Sequence, residues 1–191
     1  MSHSINLPRI MEIGKNARSK LPQILESLGA KKPLIITDKM MVSLGYIAQI
    51  QVILKIAQIE SDYFDETIPE PTSSSIEAGV KHIQNHQYDA IIAVGGGSPI
   101  DSAKAISILG KFGGEIQDYK FPRQVNETGL PIIAIPTTAG TGSECTRFTI
   151  ITNDVTSEKM LCAGLGFLPI AAIIDYEQTM SLPARTTADT G

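Results

Sequence analysis

Cysteine is scarce in this 191-residue chain: Cys145 and Cys162 are the only two, so no disulfide framework holds the fold and a reduced, cytoplasmic setting is the expectation. No apolar run approaches the ~20 residues that cross a bilayer, and Met1-Ser2-His3-Ser4 lacks a secretory pattern, so no membrane partner is expected. Basic residues are not in excess. The formal charge is -4, which gives no case for a nucleic-acid surface. Internal repeats and low-complexity tracts are absent. So are two nucleotide signatures: position 100 of a strict G-x-G-x-x-G is Ile100, and no Gly-Lys-Ser/Thr follows the glycines. Histidine is limited to three. His82 and His86 lie four apart on a helix without a third ligand nearby, and His3 sits in the amino terminus, so neither a metal site nor a general base is expected.

What the chain does have is a core-forming composition, 42% hydrophobic and 19% charged, and one informative stretch. Ile91-Ile92-Ala93-Val94 is a continuous, largely β-branched run, as in a parallel strand covered on both faces. Gly95-Gly96-Gly97 then allows a sharp turn with close backbone approach to a ligand. Ser98 suits the N-cap of the next helix, Pro99 its first position and Asp101 its third, a capping-box arrangement. A helix start behind glycines offers unpaired N–H groups and partial positive charge, so it favours phosphate. The stretch reads as a place to hold a nucleotide.

Around it, apolar strands and amphipathic helices alternate. Arg9–Gly14, Pro33–Asp38 and Asp62–Asp65 read as strands; Ala17–Leu28, Tyr46–Ile59 and Ile76–Gln87 read as helices. Pro69-Glu70-Pro71-Thr72 is a rigid loop, the helix after the glycines runs to about Leu109, and residues 110–129 are looser. Leu130–Pro136, Phe148–Thr152, Lys159–Ala163 and Ala171–Asp175 read as further strands. The expectation is an α/β fold: a doubly wound, mostly parallel, Rossmann-like sheet with additional β-strands. In such a sheet ligands sit at the carboxyl ends of strands, where Asp38, Gly95–Ser98 and Thr137–Thr141 all fall.

Asp38 is placed to accept from an adenosine ribose and to repel a 2′-phosphate, favouring NAD over NADP; it equally suits a helix N-cap or a solvated turn. Thr137, Thr138 and Thr141 belong to a hydroxyl- and glycine-rich loop able to hold phosphate, ribose or carboxamide. Ser143 lacks the G-x-S-x-G setting of a nucleophile. Lys159 can contact a phosphate or the nicotinamide ribose, though alone it reads as a solvated edge lysine.

With Ile36-Thr37-Asp38, Pro69–Thr72, Gly95-Gly96-Gly97-Ser98-Pro99-Ile100-Asp101-Ser102-Ala103-Lys104, Pro136–Glu144 and the tail from Pro183 in view, the chain resembles the iron-containing (group III) alcohol dehydrogenases over nearly its whole length. The resemblance implies that residues 1–180 form the dinucleotide-binding domain and 181–191 the linker and start of an all-helical metal-binding domain missing from this chain, with Ser181 as a helix cap. It implies that Gly96, Gly97 and Ser98 hold the pyrophosphate, that Asp38 disfavours NADP, that Thr137, Thr138 and Thr141 line the cofactor, and that Lys159 reaches its ribose. The family often has asparagine where this chain has Glu70.

The implied activity is hydride transfer between NAD and primary alcohols, diols or aldehydes, in a homodimer. Fe2+, or Zn2+, would be held by an aspartate and three histidines beyond Gly191, leaving this chain alone with little activity. Two rivals remain: a stand-alone nucleotide-binding module without chemistry, and a glycerol dehydrogenase or dehydroquinate-synthase-like enzyme of the same superfold.

Overall fold

The computed structural model describes residues 5–180 together with Leu182, Ala184, Arg185 and Ala188; the cap expected at Ser181 lies outside the described residues. Among residues 5–180, eight strands and five α-helices follow one another as β1 (Ile10–Ile13), α1 (Leu21–Ser27), β2 (Pro33–Ile36), α2 (Lys39–Ser43), α3 (Tyr46–Ile56), β3 (Asp62–Phe64), α4 (Ser73–Gln84), β4 (Ala90–Gly95), α5 (Gly97–Phe112), β5 (Ile132–Pro136), β6 (Phe148–Thr152), β7 (Lys159–Ala163) and β8 (Ala171–Ile174). Six strands form one sheet in the order β1-β8-β5-β4-β2-β3, with every pairing parallel. The mostly parallel, doubly wound sheet expected from the sequence is what forms.

The apolar runs explain this directly. Successive side chains of a strand point to opposite faces, so a run with no polar member needs cover on both. In β4, Ile91 and Ala93 pack beneath α4 and α5 with Leu34, Ile36, Ile132 and Ala134. Ala90, Ile92 and Val94 pack on the other face with Ile35, Ile133 and Ile135, against Leu25 of α1 and Ile47, Ile50 and Leu54 of α3. Each fully buried isoleucine contributes roughly 1.5–3 kcal/mol by removal from water, which holds the six strands in one register.

β6 and β7 pair antiparallel with each other and stay out of the large sheet. Their sequence alternates, so Thr149, Ile151, Met160 and Cys162 turn inward while Phe148, Ile150 and Leu161 remain exposed. One covered face suffices for such a hairpin, and α5 supplies it: Ile151, Met160 and Cys162 join the core that contains Ile100, Ala103 and Ile108.

The chain leaves β2 for β3 through α2 and α3 on one face, and leaves β4 for β5 through α5 on the other. Direction therefore reverses between neighbouring β2 and β4, the topological switch point at which open α/β sheets present a crevice.

Candidate functional site

Three segments border that crevice. Gly95 closes β4 with φ of 145°, and a Cβ there would meet Pro99 Cγ at 2.7 Å, so both backbone angle and space demand glycine. Gly96 is the N-cap and α5 begins at Gly97, two residues earlier than the sequence reading has it. The expected cap is thereby corrected: Ser98 makes no capping bond and sits at the second helical position, Pro99 at the third, and Asp101 beyond the first turn. The physical reason is that the first helical N–H groups have no partner within the helix, so proline is tolerated anywhere among them and need not mark the first position. The consequence favours an anion. With no side chain capping the helix, the N–H groups of Gly97 and Ser98 face the crevice at the positive end of a 16-residue helix.

Opposite stand Thr137 and Thr138, at the end of β5. The Thr137 N–H is fixed by the Gly95 carbonyl at 2.9 Å, but the buried hydroxyls of Thr137 and Thr138 have no hydrogen-bond partner among the described residues. Buried hydroxyls are normally paired, so two idle ones beside a helix N-terminus mark where a polar ligand belongs.

Asp38 follows β2 and does what the alternative reading assigned it: it caps α2, accepting the Met41 N–H at 2.9 Å. It also lines a cavity of about 640 Å³, together with Met40, Ile68, Pro69, Gly96, Gly97, Ser98, Pro99, Thr137 and Thr138. A capped helix and a ribose-facing carboxylate are compatible, because one oxygen serves the cap. Two hydroxyls that sequence reasoning missed hold the floor of the crevice. Thr37 Oγ1 donates to the Val94 carbonyl at 2.9 Å and Thr67 Oγ1 to the Thr37 carbonyl at 2.7 Å, tying the ends of β2 and β4 and the loop after β3 together.

A smaller adjoining cavity of about 250 Å³ is lined by Gly97, Ser98, Asp101, Thr141, Ser143, Glu70 and Lys159. Lys159 is solvated and pairs with Glu70 at 3.3 Å. Glu70 occupies the left-handed region at φ of 51°, where glycine and asparagine are at ease and glutamate is strained. Asp101 shares its carboxylate between Lys104 and the Ile150 N–H. Burial pushes the Asp101 carboxyl up from its ordinary value and the Lys104 ammonium down. The sequence reading did not mark Lys104, because a lone lysine in an amphipathic helix reads as solvated until the hairpin covering it is known.

His82 and His86 lie far from this crevice, beside Tyr88 at the amino end of β4. Their rings are 5.2 Å apart and His82 Nε2 is 3.4 Å from the Tyr88 hydroxyl, which donates to Asp62. Burial and Asp62 push the Tyr88 phenol up to about 12. Among the described residues no group of three or more His, Cys, Asp or Glu side chains is placed to hold a metal ion.

A doubly wound α/β domain with an anion-receptive glycine turn at its switch point is the class that fold and crevice define. Residues 8–176 match the model of the iron-containing alcohol dehydrogenases. The chain belongs to that family. It is 36% identical to alcohol dehydrogenase 4 of Saccharomyces cerevisiae, over 97% of this chain and 48% of the yeast protein. The crystal structure of a 1,3-propanediol oxidoreductase superposes with a TM-score of 0.95 at 33% identity, covering 100% of this chain and 50% of that one. A sulfoacetaldehyde reductase from Bifidobacterium kashiwanohense, solved in complex with NAD+, gives 0.92 at 30% identity over 100% and 50%. The chain thus spans about half the length of the curated relatives it matches.

Proposed function

We propose that this chain forms the NAD-binding half of an alcohol dehydrogenase, with residues 1–180 as the dinucleotide-binding unit and 181–191 leading into a helical metal-binding domain. The observation that carries the reading is the pairing of an uncapped helix start at Gly97 with two idle hydroxyls, Thr137 and Thr138, across one crevice. That donor set fits a pyrophosphate and a carboxamide. The N–H groups of Gly97 and Ser98 hold the pyrophosphate. Asp38 accepts from the adenosine ribose and, as an anion, repels a 2′-phosphate. Met40, Ile68 and Pro69 offer apolar surface to the adenine. Thr137, Thr138, Thr141 and Lys159 orient the nicotinamide end.

When bound, the nicotinamide supplies the hydride acceptor for a primary alcohol or diol, and the hydride donor for an aldehyde. The chain's residues hold and orient the dinucleotide. The family is iron-containing, and no group of three or more His, Cys, Asp or Glu side chains placed to hold a metal ion occurs among the described residues. Substrate activation is assigned, on the family's iron chemistry, to the proposed helical metal-binding domain. A homodimer built on the exposed β1 edge and a cytoplasmic setting complete the proposal; no helix of the described residues is long and apolar enough to cross a membrane.

Titrating the chain with NADH, followed by nicotinamide fluorescence, tests the reading. Saturable binding is expected, with NADPH weaker and no metal-dependent turnover of alcohol. Absence of NADH binding, or equal affinity for NADPH, overturns it.

A further inference from the structure

Lys104 is wholly buried in α5, two turns beyond the glycines, and its ammonium has no donor to spare. Its Nζ donates to the Phe148 carbonyl at 2.7 Å, to Thr146 Oγ1 at 3.1 Å and to Asp101 Oδ1 at 3.5 Å. An ammonium carries three donors, so all three are used, and Lys104 lines neither cavity of the site. Asp101 adds two further bonds to the same partner segment. Its carbonyl accepts from Thr149 Oγ1 at 2.9 Å, and its Oδ2 from the Ile150 N–H at 3.4 Å.

These four partners outside α5 fall between residues 146 and 150. That segment joins the loop bearing Thr141 and Ser143 to β6, and β6 carries β7 in fixed register, with Thr152 opposite Lys159. One turn of α5 thus sets where Thr141 and Lys159 stand relative to the helix start at Gly97. Burying an ammonium and a carboxylate costs several kcal/mol before their attraction returns it, and an apolar residue of similar volume is often no less stable. Stability alone therefore gives no reason for a lysine here, whereas a fixed geometry does.

We propose that Lys104, together with Asp101, is a positioning residue of the cofactor crevice, clamping the β6–β7 hairpin so that Thr141 and Lys159 meet the dinucleotide while Lys104 itself never touches it. The proposal rests on the reading of the crevice as an NAD site.

NADH titrations, with melting curves, separate the possibilities. Lys104→Met is expected to weaken NADH binding about tenfold or more in folded protein, the scale of a lost charged hydrogen bond. The double variant Asp101→Asn/Lys104→Met should regain melting temperature, since no unpaired charge stays buried, without regaining affinity. Recovery of both together, or wild-type affinity in Lys104→Met, overturns the proposal.

Should Lys104→Met not fold, Thr149→Val removes one bond of the clamp without stranding a charge. A severalfold loss of affinity supports the proposal and unchanged affinity overturns it. Failure of the wild-type chain to bind NADH overturns the underlying reading and the proposal with it. Binding by the wild type, undiminished in the variants, overturns the proposal alone.

Discussion

Lys159, on β7, reaches across the mouth of the smaller cavity to Glu70, with Nζ 3.3 Å from the carboxylate. The pair couples the hairpin to the loop before α4, and it neutralises a lysine that lines the smaller cavity. Both members are largely solvated, so the attraction itself is worth only about 0–1 kcal/mol. Its effect is on the field at the site. Glu70→Asn is expected to tighten NADH binding severalfold by releasing Lys159. Asparagine also suits the left-handed backbone at position 70, adding about 0.5–1 kcal/mol of stability in a urea melt. Weaker binding and lower stability together would refute the assignment.

Gly96 has ordinary extended backbone, with φ of -75°, so alanine is conformationally acceptable there. The added Cβ comes within 3.2 Å of Thr138 Cγ2 and 3.4 Å of its Oγ1, so the threonine must shift where it borders the crevice. Gly96→Ala should leave the circular dichroism spectrum unchanged and reduce NADH affinity by about tenfold or more. Undiminished binding in this variant would place the dinucleotide elsewhere.

Two substitutions separate the two duties of Asp38. Asp38→Ser keeps a capping oxygen for the Met41 N–H but removes the charge, so stability should hold while the preference for NADH over NADPH falls about tenfold. Asp38→Ala loses the cap as well, at about 1 kcal/mol. Paired titrations with the two cofactors and melts of both variants check this. An unaltered preference in Asp38→Ser rules out charge as the discriminator.

Burial, reinforced by His86, holds His82 below the ordinary imidazole value despite Asp62 and Glu66 nearby. Beneath that ordinary value the unfolded chain takes up the proton more readily than the folded one. Stability should therefore fall as pH falls from about 7 to about 5, and His82→Gln should flatten that part of the curve. Urea midpoints measured across the range decide it; an unchanged slope in His82→Gln assigns the loss to other groups.

The elements whose sequences carry a single meaning are the ones that can be read in advance. β2, β4 and β5 are unbroken apolar runs, which only a sheet covered on both faces can absorb. The convergence of Asp38, Gly95–Ser98 and Thr137–Thr141 follows from those strands being parallel. By contrast, α2 is five residues long, too short to display a helical period, and its one signal was Asp38, which had a second reading. Ser98 misled because serine before proline resembles a cap, whereas the flexible glycines let the helix start at Gly97. Lys104 was illegible for a different reason. Its burial depends on Thr146 and Phe148, more than forty residues away, and no local pattern reports that cover.

The neighbouring places of β1 and β8 in the sheet bear on how the chain is made. Residues 10–13 pair along β8, with the Ile10 N–H donating to the Ile170 carbonyl, so the first strand synthesised has no partner in the sheet until residues 170–174 have left the ribosome. β5 likewise keeps a bare flank until β8 arrives. The central strands can assemble during translation, but the final closure joins segments some 160 residues apart, a long-range step that is slow and leaves strand edges open to foreign chains meanwhile. A nascent chain stalled before residue 171 would therefore be a natural client for chaperones that shield β-edges.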